Sequence, residues 1–211
     1  MPAYIFADLR IINRPRYEEY RLAVRDAIRG HGGRHVVRTS KVEVIEGGWA
    51  PPRLVVLEFP TLHAADAFYQ SADYQRARQL RANAAMADMV LAEGIAPASA
   101  PKPGQRRFYA IADTRIINRA NFVQYGTVVH TAVKKYQGRY LALTESVKLL
   151  EGNWEPQLLM LLEFASEAAA RAAYAEVRDG EARKLGVNSA MIDMVLVHGI
   201  AAESEENSTF L

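Results

Sequence analysis

The chain repeats itself. YIFADLRIINR at Tyr4–Arg14 returns as YAIADTRIINR at Tyr109–Arg119, and the offset of 105 positions holds without a gap through Ile95 and Ile200, with 39 of 92 aligned residues identical. A repeat of this length constrains the fold more than any local feature, because both copies must adopt one unit and each unit must find cover for its apolar faces. The matches include Gly33/Gly138, Glu46/Glu151, Gly47/Gly152, Trp49/Trp154, Glu58/Glu163, Tyr69/Tyr174 and Arg78/Arg183. Between the copies runs APASAPKPGQ, rich in Ala and Pro and without periodicity, which reads as a semi-extended linker. The expected organisation is a first repeat over 1–96, a linker over 97–107, a second repeat over 108–201 and an acidic tail over 202–211.

Within each copy the apolar period switches several times. Tyr4 to Ile12 alternates as a strand. Pro15 to Arg29 carries a helical stripe at Tyr17, Tyr20, Val24 and Ile28, with Asn13 or Arg14 as cap and Gly32-Gly33 as stop. Arg34 to Glu46 is β-branched with a polar interruption at Thr39-Ser40, and after Gly47-Gly48 the apolar strand Leu54 to Phe59 should pair with it as a hairpin. Two short helices follow, with Thr61 and Ser71 as N-cap candidates, and a strand over Ala87 to Ile95 closes the unit. The order βαββαβ is a ferredoxin-like layer whose sheet has helices on one face only. The second copy is the natural cover for the other face, so the expected class is α+β: two ferredoxin-like repeats packed sheet to sheet as a pseudo-dimeric barrel within one chain. Further association of chains stays open.

Composition narrows the function classes. The chain has 26 basic and 24 acidic residues and no cysteine, so no basic stripe points to nucleic acid or membrane, and thiolate chemistry is excluded. The opening MPAYIFADLR lacks a basic leader, and the longest apolar run, Leu158 to Leu162, is far below the ~18 residues of a membrane span, so a cytoplasmic location is expected. The strands LVVLEF and LMLLEF lack the aromatic and glycine pattern of an RNA-stacking sheet.

Tyr20, Gly33-Arg34, Arg38, Glu46-Gly47, Trp49, Glu58-Phe59-Pro60, Ala65, Phe68-Tyr69, Ser71, Tyr74 and Glu93-Gly94 together resemble domain-of-unknown-function family 1330. The likeness covers Tyr4 to Ile95 and, eroded, Tyr109 to Ile200. It implies the dimeric α+β barrel superfamily, whose members include cofactor-independent monooxygenases, cyclases, isomerases and haem enzymes, so it implies a fold rather than a reaction.

Candidate site residues each have a structural alternative. Asp8 and Arg10, repeated as Asp113 and Arg115, share a strand face and read as a structural ion pair or a substrate-orienting one. Glu58 and Glu163 share the face of Leu54, Val56, Leu159 and Leu161. A carboxylate desolvated there is a candidate general base, unless Arg34, Arg78 or a group from the other copy satisfies it. Trp49 and Trp154 sit in E-G-x-W-x-P, where a glycine with positive φ lets the indole plug a sheet end or line a binding site. Tyr69 and Tyr174 can donate to an oxyanion or simply pack. Ser71 before Tyr74 is explained by helix capping as well as by substrate contact.

None of the five histidines is shared: His31 and His35 align with Tyr136 and Tyr140, His63 with Ala168, His130 with Arg25 and His198 with Glu93. A two-His metal site common to both copies is therefore ruled out, and no metal or cofactor is expected, a haem on one unshared His being the remaining alternative. Arg38, Ser71, Tyr74 and Glu93 become Leu143, Glu176, Asp179 and His198. The first copy thus keeps the family pattern, and one working pocket in that copy is expected. Two functions fit. One is a cofactor-independent enzyme acting by acid–base chemistry on a small carbonyl-bearing or aromatic molecule (a cyclase, isomerase, lyase or hydrolase). It would use Glu58 as base, Arg38 holding an anion and Tyr69 or Tyr74 polarising an oxygen, with Trp49, Ser71, Arg78, His35, Tyr174 and Glu163 as further binding residues. The other is a non-enzymatic module that binds a metabolite or a protein.

Overall fold

A computed structural model describes residues 1–100, 106–180, 182–187 and 189–200; the acidic tail lies outside the described residues, as does 101–105 of the linker. The first repeat runs β1 (Ala3–Ile11), α1 (Arg14–Gly30), β2 (Arg34–Thr39), β3 (Glu43–Glu46), β4 (Leu54–Phe59), α2 (Leu62–Gln70), α3 (Ala72–Arg81) and β5 (Ala85–Glu93). The second runs β6 (Phe108–Ile116), α4 (Arg119–Lys135), β7 (Arg139–Thr144), β8 (Val147–Glu151), β9 (Leu158–Phe164), α5 (Glu167–Asp179), α6 (Ala182–Val187) and β10 (Ala190–His198). The caps behave as their side chains dictate. Asn13 accepts from the Arg16 amide at 3.2 Å, Thr61 from Ala64 at 3.0 Å and Ser71 from Tyr74 at 3.2 Å.

Two antiparallel five-stranded sheets form, in the orders β2-β4-β1-β5-β8 and β3-β10-β6-β9-β7. Only half of the expected hairpin is present. β2 pairs with β4, Arg34 opposite Glu58 and Thr39 opposite Leu54, whereas β3 leaves its own repeat and pairs with β10 of the other. β8 makes the reciprocal exchange and pairs with β5, Met89 opposite Glu151 and Leu91 opposite Lys148. The polar interruption is therefore a change of sheet. The Thr39 hydroxyl accepts from the Lys41 amide at 2.9 Å, and Thr144 accepts from Ser146 at 3.0 Å, small side-chain turns that redirect the backbone.

Three apolar layers result. Tyr4, Phe6, Val37, Leu54, Val56 and Val90 meet Tyr109, Ile111, Leu141, Leu159, Leu161 and Val195 between the sheets, all under 4 % exposed, and form the barrel interior. Helices α1 to α3 cover the outer face of the first sheet, and α4 to α6 that of the second. Alternation puts successive residues of each strand into different layers. Leu57 and Phe59 therefore face the helices, while Val56 and Glu58 face the interior. Among the described residues no helix is long and apolar enough to cross a membrane.

Candidate functional site

The exchanged strands are clamped by residues that looked catalytic in sequence. The Tyr69 hydroxyl donates to the Leu150 carbonyl at 2.7 Å and Tyr174 to Ile45 at 2.9 Å, so each phenol holds the visiting strand of the other repeat. Glu151, at the end of β8, accepts from Arg81 at 2.7 Å on each carboxylate oxygen and from the Tyr74 hydroxyl at 3.2 Å, with Arg78 paired to it at 3.1 Å. Trp49 and Trp154 stack at one end of the barrel with centroids 4.9 Å apart. Their indoles donate to Asp8 at 3.0 Å and Asp113 at 2.8 Å. Burial, partly offset by that indole bond, pushes both carboxyls above their ordinary range. Asp8 thus serves Trp49 rather than an ion pair with Arg10.

Glu58 and Glu163 hold the linker. Glu58 is 8 % exposed and accepts from Arg34 at 3.0 and 3.1 Å, from the Tyr4 hydroxyl at 3.0 Å and from the Ala98 amide at 2.6 Å. Glu163 accepts from Arg139 at 3.0 and 3.2 Å, from Tyr109 at 3.2 Å, and from the Ser99 amide and hydroxyl at 2.8 and 2.7 Å. Arg34 and Arg139 also donate to the Ala98 and Pro97 carbonyls. Glu58 opens to the barrel interior and Arg38 to the helical face, so the sheet separates the proposed base from the proposed anion holder. Ser71 caps α3 and donates to the Phe68 carbonyl at 2.8 Å.

What the fold does bring together lies between α1 and the first sheet. A cavity of about 530 Å³, counted out to solvent, is floored by Ile5, Ala7, Val55 and Leu57 and walled by Tyr17, Tyr20, Val24, Phe68 and Tyr74. Its polar groups are Arg21, His35 and Arg38, together with the tyrosine hydroxyls. The interior left between side chains holds a few water molecules at most. Arg53 lies over the Tyr17 ring, 5.6 Å from its centroid, with its Nε buried and without a hydrogen-bond partner. Arg81 similarly lies over Tyr20.

Cationic charge dominates this site. Burial, then Arg38, Arg53, Arg21 and Arg29, lowers His35 to about 3, so its imidazole is neutral at ordinary pH. Arg38 itself is held below its usual range by burial and by Arg21 and Arg53. Arg21 has a carboxylate partner in Glu18 at 2.6 Å, whereas Arg38 makes no hydrogen bond or ion pair among the described residues. Burial pushes Tyr20 up to about 12 and raises Tyr74 as well, so both phenols are donors.

Of the residues nominated from sequence, His35, Arg38 and Tyr74 meet here. Tyr17, Tyr20, Arg21 and Arg53 were missed. The matching cavity of the second repeat is lined by Tyr125, Val129, Met160, Ala173, Tyr174 and Val177 among others, and no cation lines it among the described residues. There Arg21, His35, Arg38 and Arg53 have become Gly126, Tyr140, Leu143 and Leu158.

The family model for a domain of unknown function, DUF1330, matches residues 2–95 and again 107–200. The chain belongs to the DUF1330 family. A search of curated proteins gave no match. Among solved structures, this DUF1330 chain is similar to a mutant chlorite dismutase from Candidatus Nitrospira defluvii at 8 % identity and a TM-score of 0.53, covering 92 % of this chain and 91 % of that one. It is also similar to a provisionally assigned monooxygenase from Lactobacillus acidophilus NCFM at 12 % identity and a TM-score of 0.51, covering 95 % and 96 %. At such identities the likeness establishes the dimeric α+β barrel fold and no more.

Proposed function

We propose that this protein binds a small organic anion in the helix–sheet cavity of the first repeat, and that the second repeat completes the barrel without a matching site. One observation carries the reading: Arg21 and Arg38 line a partly apolar cavity, Arg53 lies over the Tyr17 ring of its wall, and Arg38 makes no ion pair or hydrogen bond among the described residues, Glu18 acting on it only at a distance. A guanidinium held in a partly desolvated place without a directly bonded carboxylate carries an electrostatic cost that an anionic ligand relieves. The aromatic and aliphatic walls at the solvent-open mouth suit the rest of a small carboxylate-bearing metabolite, the space enclosed behind them holding only a few waters. A cytoplasmic, cysteine-free binder of metabolites is consistent with this reading.

A second reading, cofactor-independent acid–base turnover in the same cavity, is favoured by His35. An anion beside the arginines offsets the part of the shift that their field adds to burial and so raises the affinity of the imidazole for a proton, with Tyr20 as donor to a substrate oxygen. A haem is not part of either reading. His35 is the one imidazole lining either helix–sheet cavity among the described residues, and the room beside it does not take a tetrapyrrole.

The test is isothermal titration of aromatic and aliphatic carboxylates against the wild type and Arg38→Leu, the residue of the second repeat. Binding by the wild type at one site per chain, weakened about ten-fold or more in the variant (about 1.4 kcal/mol), is the expected result. Binding at two equivalent sites, or an unchanged affinity in Arg38→Leu, overturns the reading.

A further inference from the structure

The arginines extend past the mouth of that cavity. Beside it a groove opens between the C-terminal half of α1 and β2, lined by Arg25, Arg29, Arg34, His35 and Arg38, so it shares His35 and Arg38 with the cavity. Arg25 and Arg29 stand four residues apart on α1 and present their heads along one helix face.

The charges here are not balanced. Arg34 is committed to Glu58 at 3.0 Å. The carboxylate nearest Arg25 is Asp26 at 3.5 Å, with 80 % of its side chain exposed, a pair that water screens. Arg29 and Arg38 make no side-chain hydrogen bond or ion pair among the described residues. The second repeat does not keep the arrangement. His130, Lys134 and Leu143 stand for Arg25, Arg29 and Arg38, and the His130 ring is stacked on Tyr140, with centroids 5.8 Å apart.

We propose that this groove seats a phosphate or diphosphate group of the ligand, so that the molecule bound by the first repeat is a phosphorylated small organic compound whose apolar part lies at the solvent-open mouth of the cavity. The inference rests on the cavity reading above. A second carboxylate answers the groove less well, because it carries one charge and two oxygens. A phosphate monoester brings nearly two charges and three acceptor oxygens, which two or three planar guanidiniums can take with paired N–H donors. Burial first, and then the field of Arg38, Arg53, Arg21 and Arg29, keeps His35 neutral, so the arginines of groove and cavity act together on the imidazole they surround.

Titration with inorganic pyrophosphate, at about 0.15 M salt so that exposed charge is screened beyond ~8 Å, tests the groove directly. The variants are the double change Arg25→Gln with Arg29→Gln, on the outer side of α1, and Arg16→Gln at the other end of that helix as control, each checked for an unchanged circular dichroism spectrum. Saturable binding at one site per chain is expected, weakened about ten-fold or more by the double change and unaffected by Arg16→Gln, while carboxylate binding to the cavity is retained. Absence of saturable pyrophosphate binding, or equal affinity in the double variant, overturns the groove. If carboxylate binding still responds to Arg38→Leu in that event, the cavity reading survives alone. If pyrophosphate binds through Arg25 and Arg29 but no carboxylate binds, the cavity reading falls instead.

Discussion

Replacing Glu58 by Gln separates a base from a latch. The side chain accepts four hydrogen bonds, two from Arg34 at one oxygen, and one each from Tyr4 and the Ala98 amide at the other. A glutamine keeps one acceptor. Turned to serve Arg34, it points its amide at Tyr4 and Ala98. Tyr4 tolerates this, because its one hydroxyl proton, shared between Glu58 at 3.0 Å and the Ala96 carbonyl at 2.6 Å, can go wholly to Ala96 while the oxygen accepts from the new amide. The Ala98 N–H cannot, and a buried amide left without an acceptor costs ~1–3 kcal/mol. Loss of the charge attraction to Arg34, which is about one-third exposed, adds ~0–1 kcal/mol. The total is about 1–4 kcal/mol. For a chain of this size each kcal/mol moves the midpoint by ~2–4 °C, so differential scanning calorimetry should show a fall of about 2–16 °C. Ligand affinity should stay within two-fold, because Glu58 and the cavity lie on opposite faces of the sheet. Glu163→Gln should cost less: with the glutamine oxygen on the Ser99 amide, its NH2 meets the Ser99 hydroxyl, which can rotate and accept, and Arg139, about half exposed, can turn to water. A Glu58→Gln protein with unaltered stability but lost binding or turnover would refute this reasoning and restore the carboxylate as a chemical group.

Two further outcomes follow from other parts of the barrel. Gly152→Ala forces a side chain onto a residue at φ +79°, with its Cβ 2.8 Å from the Ala87 carbonyl and against Asp88. The left-handed backbone alone costs ~1–2 kcal/mol, so chemical denaturation should show a loss of at least that, and an unchanged midpoint would contradict the close approach of β8 to β5. His35→Tyr probes the buried imidazole. With a folded pKa near 3 and an unfolded one near ~6.5, the unfolded chain binds a proton that the folded chain refuses. The stability this confers is complete above about 6.5 and is lost as the pH falls toward about 3. Stability measured against pH over that window should therefore fall less steeply in the variant, and coincident slopes would show that the imidazole is not held neutral.

The candidate site was partly legible before folding. His35, Arg38 and Tyr74 stand out by differing between the copies, and the same comparison marks Arg21, Arg25 and Arg53. The four-residue spacing of Arg21, Arg25 and Arg29 puts them along one side of α1, a signal that was present but reads equally as a solvated face. Glu58 and Tyr69 have structural partners that the sequence did not show, for a physical reason. A polar group in an apolar stretch signals a demand for partners, and the partners proved to be the linker backbone and the visiting strand, both far away in sequence.

The sequence by itself determined the duplication, the βαββαβ order, the caps at Thr61 and Ser71, and the apolar faces, because these depend on residue spacing and on contacts a few positions apart. Tertiary structure alone decided which sheet β3 and β8 join, what saturates Glu58 and Glu163, and which arginines share a field with His35. A period of two specifies that a segment is a strand and which face is apolar. Its partner is chosen by unpaired backbone at a sheet edge, and that edge exists only once both repeats have folded against each other.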